Sequence, residues 1–90
     1  MSFDVLVIPA LFEKIPPELK DNIKSAIKEL NYPFPGEGGN KKEIKGASDS
    51  AYRLRVGNYR IFYRIDKDKK KVYVFDILTA EQAHKRYGRL

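Results

Sequence analysis

The chain predicts an α+β fold, a small, largely antiparallel sheet with helices packed on one face, in the order β-(α)-α-β-β-β-(α). Three features carry that expectation: an early apolar run ending at a proline, a stripe of apolar residues at helical spacing after it, and a Gly-Asn connection between alternating runs further on. A chain of 90 residues supports a single core. Burial of ~60–65% of the unfolded surface is enough at this size to stand without staples. Residues 1–90 are therefore read as one domain.

Phe3 to Ile8 is a short apolar run stopped by Pro9, which suits a buried strand. Ala10 to Ile15 can make a turn or two of helix before Pro16 and Pro17 interrupt it, and Pro17 suits the first position of the next helix. Leu19, Ile23, Ala26, Ile27 and Leu30 then form one stripe of an amphipathic helix, with Lys20, Lys24 and Lys28 outside it and Asn31 at its end. Tyr32 to Asn40 is a Pro/Gly-rich connector. It lacks the preceding strand and the following GK[ST] of a phosphate-cradling loop, so it reads as a plain connection. Lys41 to Gly46 leads into the hairpin, Val72 to Leu78 forms the last strand, and Ala80 to Tyr87 a short helix or tail.

The hairpin Tyr52 to Arg64 is the most informative segment. A two-residue Gly57-Asn58 connection sets Val56 opposite Tyr59. Side chains alternate, so Tyr52, Leu54, Val56, Tyr59, Ile61 and Tyr63 share one face, and Arg53, Arg55, Arg60, Phe62 and Arg64 share the other. Arg55 then stands opposite Arg60. Like charges across a ladder destabilise by up to ~1 kcal/mol, so arginines kept in register point to an anionic ligand whose oxygens match the guanidinium fork.

Charge distribution agrees. Residues 1–40 hold four Lys/Arg against six Asp/Glu, whereas residues 41–90 hold fourteen against six, so the second half carries net +8 within an overall +6. Such basicity suits nucleic acid or an acidic protein partner. No cysteine is present, which excludes disulfides, thiolate metal sites and cysteine nucleophiles. The start, Met-Ser-Phe-Asp, has neither a basic leader nor a long apolar run. A soluble, cytoplasmic protein without a membrane partner is expected.

With Lys42, Ile44 and Gly46 before it, the hairpin pattern of Tyr52, Arg53, Arg55, Gly57, Tyr59, Arg60 and Tyr63 resembles the RelE/ParE superfamily of type II toxin–antitoxin systems. The likeness is dense over roughly residues 40–87 and looser toward the N-terminal strand and helix. For the RelE branch it implies a ribosome-dependent endoribonuclease that enters the A site, cuts messenger RNA, and is silenced by a cognate acidic antitoxin. Attack by the RNA's own 2′-oxygen requires proton transfer and cations around the phosphorane, and no metal or other cofactor.

The resemblance implies a role for each basic residue. Arg60 is the candidate for phosphorane stabilisation, and Arg53 and Arg55 sit where relatives carry Lys or Arg that bind the phosphate or favour deprotonation of the 2′-oxygen. Arginine stays protonated, so both are assigned electrostatic work. Lys42, Lys45, Arg64, Lys85 and Arg86 are candidate RNA contacts. Many relatives place an arginine soon after the last strand. Here those positions fall on Ala80, Glu81 or Ala83, which shifts the phosphate clamp to Lys85 and Arg86 or to Lys42 and Lys45. The proton donor to the departing 5′-oxygen is His84 or Tyr87. An imidazole exchanges protons near neutrality; a tyrosine can alternatively stack on a base, as Phe62 can, although partial packing is expected for Phe62. The superfamily also contains ParE toxins, which poison DNA gyrase, and a weakened relative could retain antitoxin binding alone.

Overall fold

The structure, a computed structural model, describes residues 2–35, 40–44 and 51–87. Its elements are β1 (Asp4–Val7), α1 (Pro17–Lys28), β2 (Lys41–Ile44), β3 (Ala51–Val56), β4 (Tyr59–Asp66), β5 (Lys71–Thr79) and α2 (Ala80–Tyr87), with short 3-10 turns at Pro9–Phe12 and Glu29–Asn31. The sheet has the order β1-β5-β4-β3-β2. β2 to β5 run antiparallel in succession, and β1 joins the β5 edge in parallel, Val5 opposite Val72 and Val7 opposite Val74.

Local chemistry explains each element. Pro17 opens α1 where its missing N–H is no loss, with Glu18 in the first turn and Lys28 in the last, both favourable to the helix dipole. Ile23, Ile27 and Leu30 are buried, with Leu19 and Ala26 beside them. They meet Tyr52, Leu54, Ile61, Tyr63, Val72, Val74 and Ile77 from the inner face of the sheet. Each fully buried aliphatic side chain contributes ~1.5–3 kcal/mol, so this seam dominates stability. The Tyr63 hydroxyl donates to the Pro33 carbonyl at 2.6 Å, fastening the connector after α1 to the core, while Phe3 N–H donates to the Asn31 carbonyl at 2.9 Å.

The hairpin register is the expected one, Val56 opposite Tyr59 and Arg55 opposite Arg60. Gly57 holds the turn with φ +55°, a conformation that a Cβ disfavours.

Three features depart from the sequence reading. Lys41–Ile44 is a strand, since β3 supplies its hydrogen-bond partners in an antiparallel pairing that a short polar segment does not announce. A bulge between Phe62 and Tyr63 leaves Phe75 as an extra residue on β5. And the helices do not share one face. α1 covers the inner face; α2 sets Tyr87 against Phe62, on the arginine side. Phe62 accordingly has 0% exposure rather than partial packing, because α2 needs an apolar seat and the bulge brings Phe75 beside it, ring centroids 6.3 Å apart. No helix among the described residues is long and apolar enough to cross a membrane.

Candidate functional site

The outer face of β2, β3 and β4 gathers the basic residues. Lys42 stands opposite Arg53, Arg53 opposite Phe62, and Phe62 opposite Asp76, giving one row across four strands. Arg55 and Arg60 form the next row, followed by Leu78. Arg64 lies on the same face at the other end, its guanidinium carbon 5.0 Å from the Phe75 ring centroid. Of the basic candidates, Lys42, Arg53, Arg55, Arg60 and Arg64 are thus brought onto one surface, whereas Lys45 lies outside the described residues.

The arginines are mutually strained. Burial, followed by the charges of Arg60 and Arg55, lowers the Arg53 pKa; burial and then Arg55 lower that of Arg60. Both still carry full charge, as guanidinium does at any ordinary pH. Arg60 Nη1 donates to the carbonyls of Gly57 at 3.0 Å and Tyr59 at 2.9 Å, which anchors its head at the turn. Arg53 Nε is buried with no hydrogen-bond partner among the described residues. Like charges gathered on one face favour an anion between them.

The C-terminal candidates separate. Thr79 Oγ1 accepts from the Gln82 N–H at 3.2 Å and Gln82 Oε1 accepts from the Thr79 N–H at 3.1 Å, a capping box that starts α2. The Ala80 N–H donates to the Asn58 carbonyl at 2.8 Å, tying that start to the hairpin turn. Ala83 is fully buried and Tyr87, one turn later, lies with its ring centroid 4.5 Å from that of Phe62. His84 is exposed beside this seam. Lys85 pairs with Glu81 at 3.4 Å, on the solvent side.

Asp76 was not singled out in the sequence reading, and it organises this end of the site. Its Oδ2 accepts from Arg86 Nη1 and from the Tyr87 hydroxyl, each at 2.8 Å, and its Oδ1 accepts from the Ile77 N–H at 3.1 Å. Burial and the Asp76 carboxylate raise the Tyr87 pKa, with Arg86 opposing; the same carboxylate raises that of Arg86. Tyr87 is thus held by its hydroxyl and by one ring contact with Phe62, and 37% of it stays exposed. A carboxylate inside an otherwise apolar strand was the available signal. Its direction depends on the bulge, which has no mark in the sequence.

A basic face on a sheet closed by a C-terminal helix is a surface suited to an anionic partner, and the likeness to known proteins gives the family. The family described as ParE toxin of type II toxin-antitoxin system, parDE, matches residues 10–84. A relative from Methanocaldococcus jannaschii described as a RelE1 toxin is 33% identical over 72 residues, covering 79% of each chain. Among solved structures, the archaeal RelE-RelB complex from Pyrococcus horikoshii OT3 has a chain that superposes with a TM-score of 0.70 at 21% identity, covering 88% of this chain and 96% of that one. The toxin-antitoxin complex RelBE2 from Mycobacterium tuberculosis gives 0.73 at 18% identity, covering 88% and 99%. The chain belongs to the RelE/ParE superfamily of type II toxin–antitoxin toxins.

Proposed function

We propose that the protein is a ribosome-dependent messenger-RNA endoribonuclease acting by metal-independent attack of the RNA 2′-oxygen, and that a cognate acidic antitoxin silences it. The observation that carries this reading is the outer-face cluster of Lys42, Arg53, Arg55 and Arg60, set in register on one surface. Such a cluster binds a phosphate in the ground state and more strongly a phosphorane, whose extra negative charge develops where the guanidinium donors converge. Arg60, fixed at the turn, serves as the principal stabiliser, with Arg53 and Arg55 beside it. Lys42, Lys45 and Arg64 extend the contact along the RNA. His84 is the proton donor of this reading, because the Tyr87 proton is already given to Asp76.

The antitoxin assignment draws on the solved relatives, which are complexes of RelE-type toxins with RelB-type partners. On this chain a cleft of about 450 Å³ beside α2 has Ile15, Tyr59, Ile77 and Leu78 on its walls and Lys14, Lys85 and Arg86 at its rim. An acidic amphipathic segment suits that combination.

Primer extension on ribosome-bound messenger RNA, with the wild-type protein and Arg60→Ala, tests the reading. Discrete cuts that vanish in the variant support it; no cuts with wild type refute it. A second reading has one specific observation in its favour, the ParE description of the matching family. It predicts inhibition of DNA gyrase supercoiling and intact messenger RNA.

A further inference from the structure

The sheet places a single carboxylate, Asp76, in the row that also holds Lys42 and Arg53. A surface arranged to attract phosphate is weakened by an anion at that position unless the anion is occupied elsewhere. It is occupied: rather than turning to the sheet arginines, Asp76 takes two donors from α2.

The Arg86 side chain is 60% exposed and that of Asp76 12%, so the two donors satisfy a buried carboxylate that would be costly unpaired, while the open arginine end of the pair adds little of its own. Contact of α2 with the sheet comes instead from buried Ala83 and from the Tyr87 ring on Phe62. What the carboxylate adds is direction. With Tyr87 donating to Asp76, the phenol's remaining lone pair is what it can offer to substrate, and acceptance by a carboxylate strengthens that lone pair as an acceptor. Arg86 commits Nη1 to Asp76 and retains its other donors for phosphate oxygens.

We infer that Asp76 is a positioning residue of the RNA site, holding Tyr87 and Arg86 on one carboxylate oxygen so that the end of α2 stands fixed beside the Lys42–Arg53 row. The role rests on the nuclease reading. Asp76 touches no reacting atom; it acts through its two partners.

The test uses full-length protein on ribosomes programmed with messenger RNA, in single turnover with protein in excess, comparing wild type, Asp76→Asn, Tyr87→Phe and the double variant. Asp76→Asn keeps the side-chain volume and removes the charge. Its saturated rate constant is expected to fall roughly 10- to 10²-fold, the usual consequence of misplaced groups, with little change in the half-saturating concentration. A mere loss of folded fraction leaves a saturated rate constant unchanged. The double variant should be no slower than the slower single one, because both changes break one linkage. Hydrogen exchange should show amides 83–87 losing protection in Asp76→Asn while those of β3 and β4 keep theirs. Arg86→Gln, an exposed change that leaves the sheet alone, should reproduce part of the loss. Wild-type rates in Asp76→Asn, or strictly additive losses, overturn the inference while the nuclease reading stands. A wild-type protein that cuts nothing overturns that reading and this role together.

Discussion

Arg55 and Arg60 face each other directly across the β3–β4 ladder, two like charges on neighbouring strands of a free surface. Sheet energetics disfavours such a pair, and the lowered pKa of Arg60, caused first by burial and then by Arg55, records the same repulsion. A ligand that brings negative charge between them converts the repulsion into affinity.

Replacing one partner should therefore separate stability from binding. Arg55→Gln is expected to stabilise the free protein by ~0.5–1 kcal/mol and to weaken its binding to RNA oligonucleotides. Thermal melts and a salt-dependent binding titration measure the two effects. A variant that loses both would show that the arginine supports the fold.

Arg60→Ala should reduce messenger-RNA cleavage by ~10²–10³, the usual cost of removing one charge-stabilising donor, with the circular dichroism spectrum preserved. Its Nη1 bonds to Gly57 and Tyr59 lie at a turn, so the hairpin survives their loss. Retained cleavage would shift the phosphorane assignment to Arg53 and Arg55.

His84 and Tyr87 are distinguished by the order of damage. His84→Gln should lower the single-turnover rate by ~10²–10⁴, the range for a general acid. Tyr87→Phe should cost less, since its hydroxyl proton belongs to Asp76 and its ring still seats on Phe62. The reverse order would make the phenol the acid.

Tyr63 links pH to stability. Burial, then the nearby Tyr52, raises its pKa well above the ordinary 10.0, and Tyr52 and Tyr87 move the same way. Unfolded tyrosines lose their protons near 10, while folded Tyr63 keeps its proton. The stabilisation it gives is thus complete below that pH and declines as pH rises toward the folded value. Tyr63→Phe should cost ~1 kcal/mol at neutral pH through the lost bond to Pro33 and should flatten the alkaline fall in urea midpoint. An equally steep fall in the variant would place the alkaline sensitivity elsewhere.

A co-purified antitoxin should occupy the cleft at the basic end of α2 and extend onto the arginine face, and raising salt should weaken the complex. Cross-linking from Arg-face positions, or a structure of the complex, gives the answer. A partner bound only to α1 would refute it.

The sequence was most legible where period and turn agree. The α1 stripe, the Gly57 turn and the pairing of Arg55 with Arg60 follow from local rules that the tertiary structure does not override, whereas the apolar run read as a buried strand is an edge strand with Leu6 and Ile8 exposed. Lys41–Ile44 carries no apolar alternation, so its strand state depends on β3 and could not be read locally. The face chosen by α2 was hidden for another reason. Phe62 looks like an isolated aromatic among arginines until the Phe75 bulge places a second ring, and Asp76, on its side of the sheet. A one-residue irregularity thus decides which side chains the C-terminal helix meets.

The parallel pairing of β1 with β5 joins the first strand of the chain to the last. Synthesis proceeds from the amino end, so Asp4–Val7 has no partner until residues 71–79 have left the ribosome. β5 lies between β1 and β4 and is the strand through which both halves of the sheet connect. Its late arrival delays closure of the whole domain, as expected where contacts are distant in sequence. Until residues 71–79 have emerged, a nascent chain consequently lacks the strand that backs the arginine surface and carries Asp76.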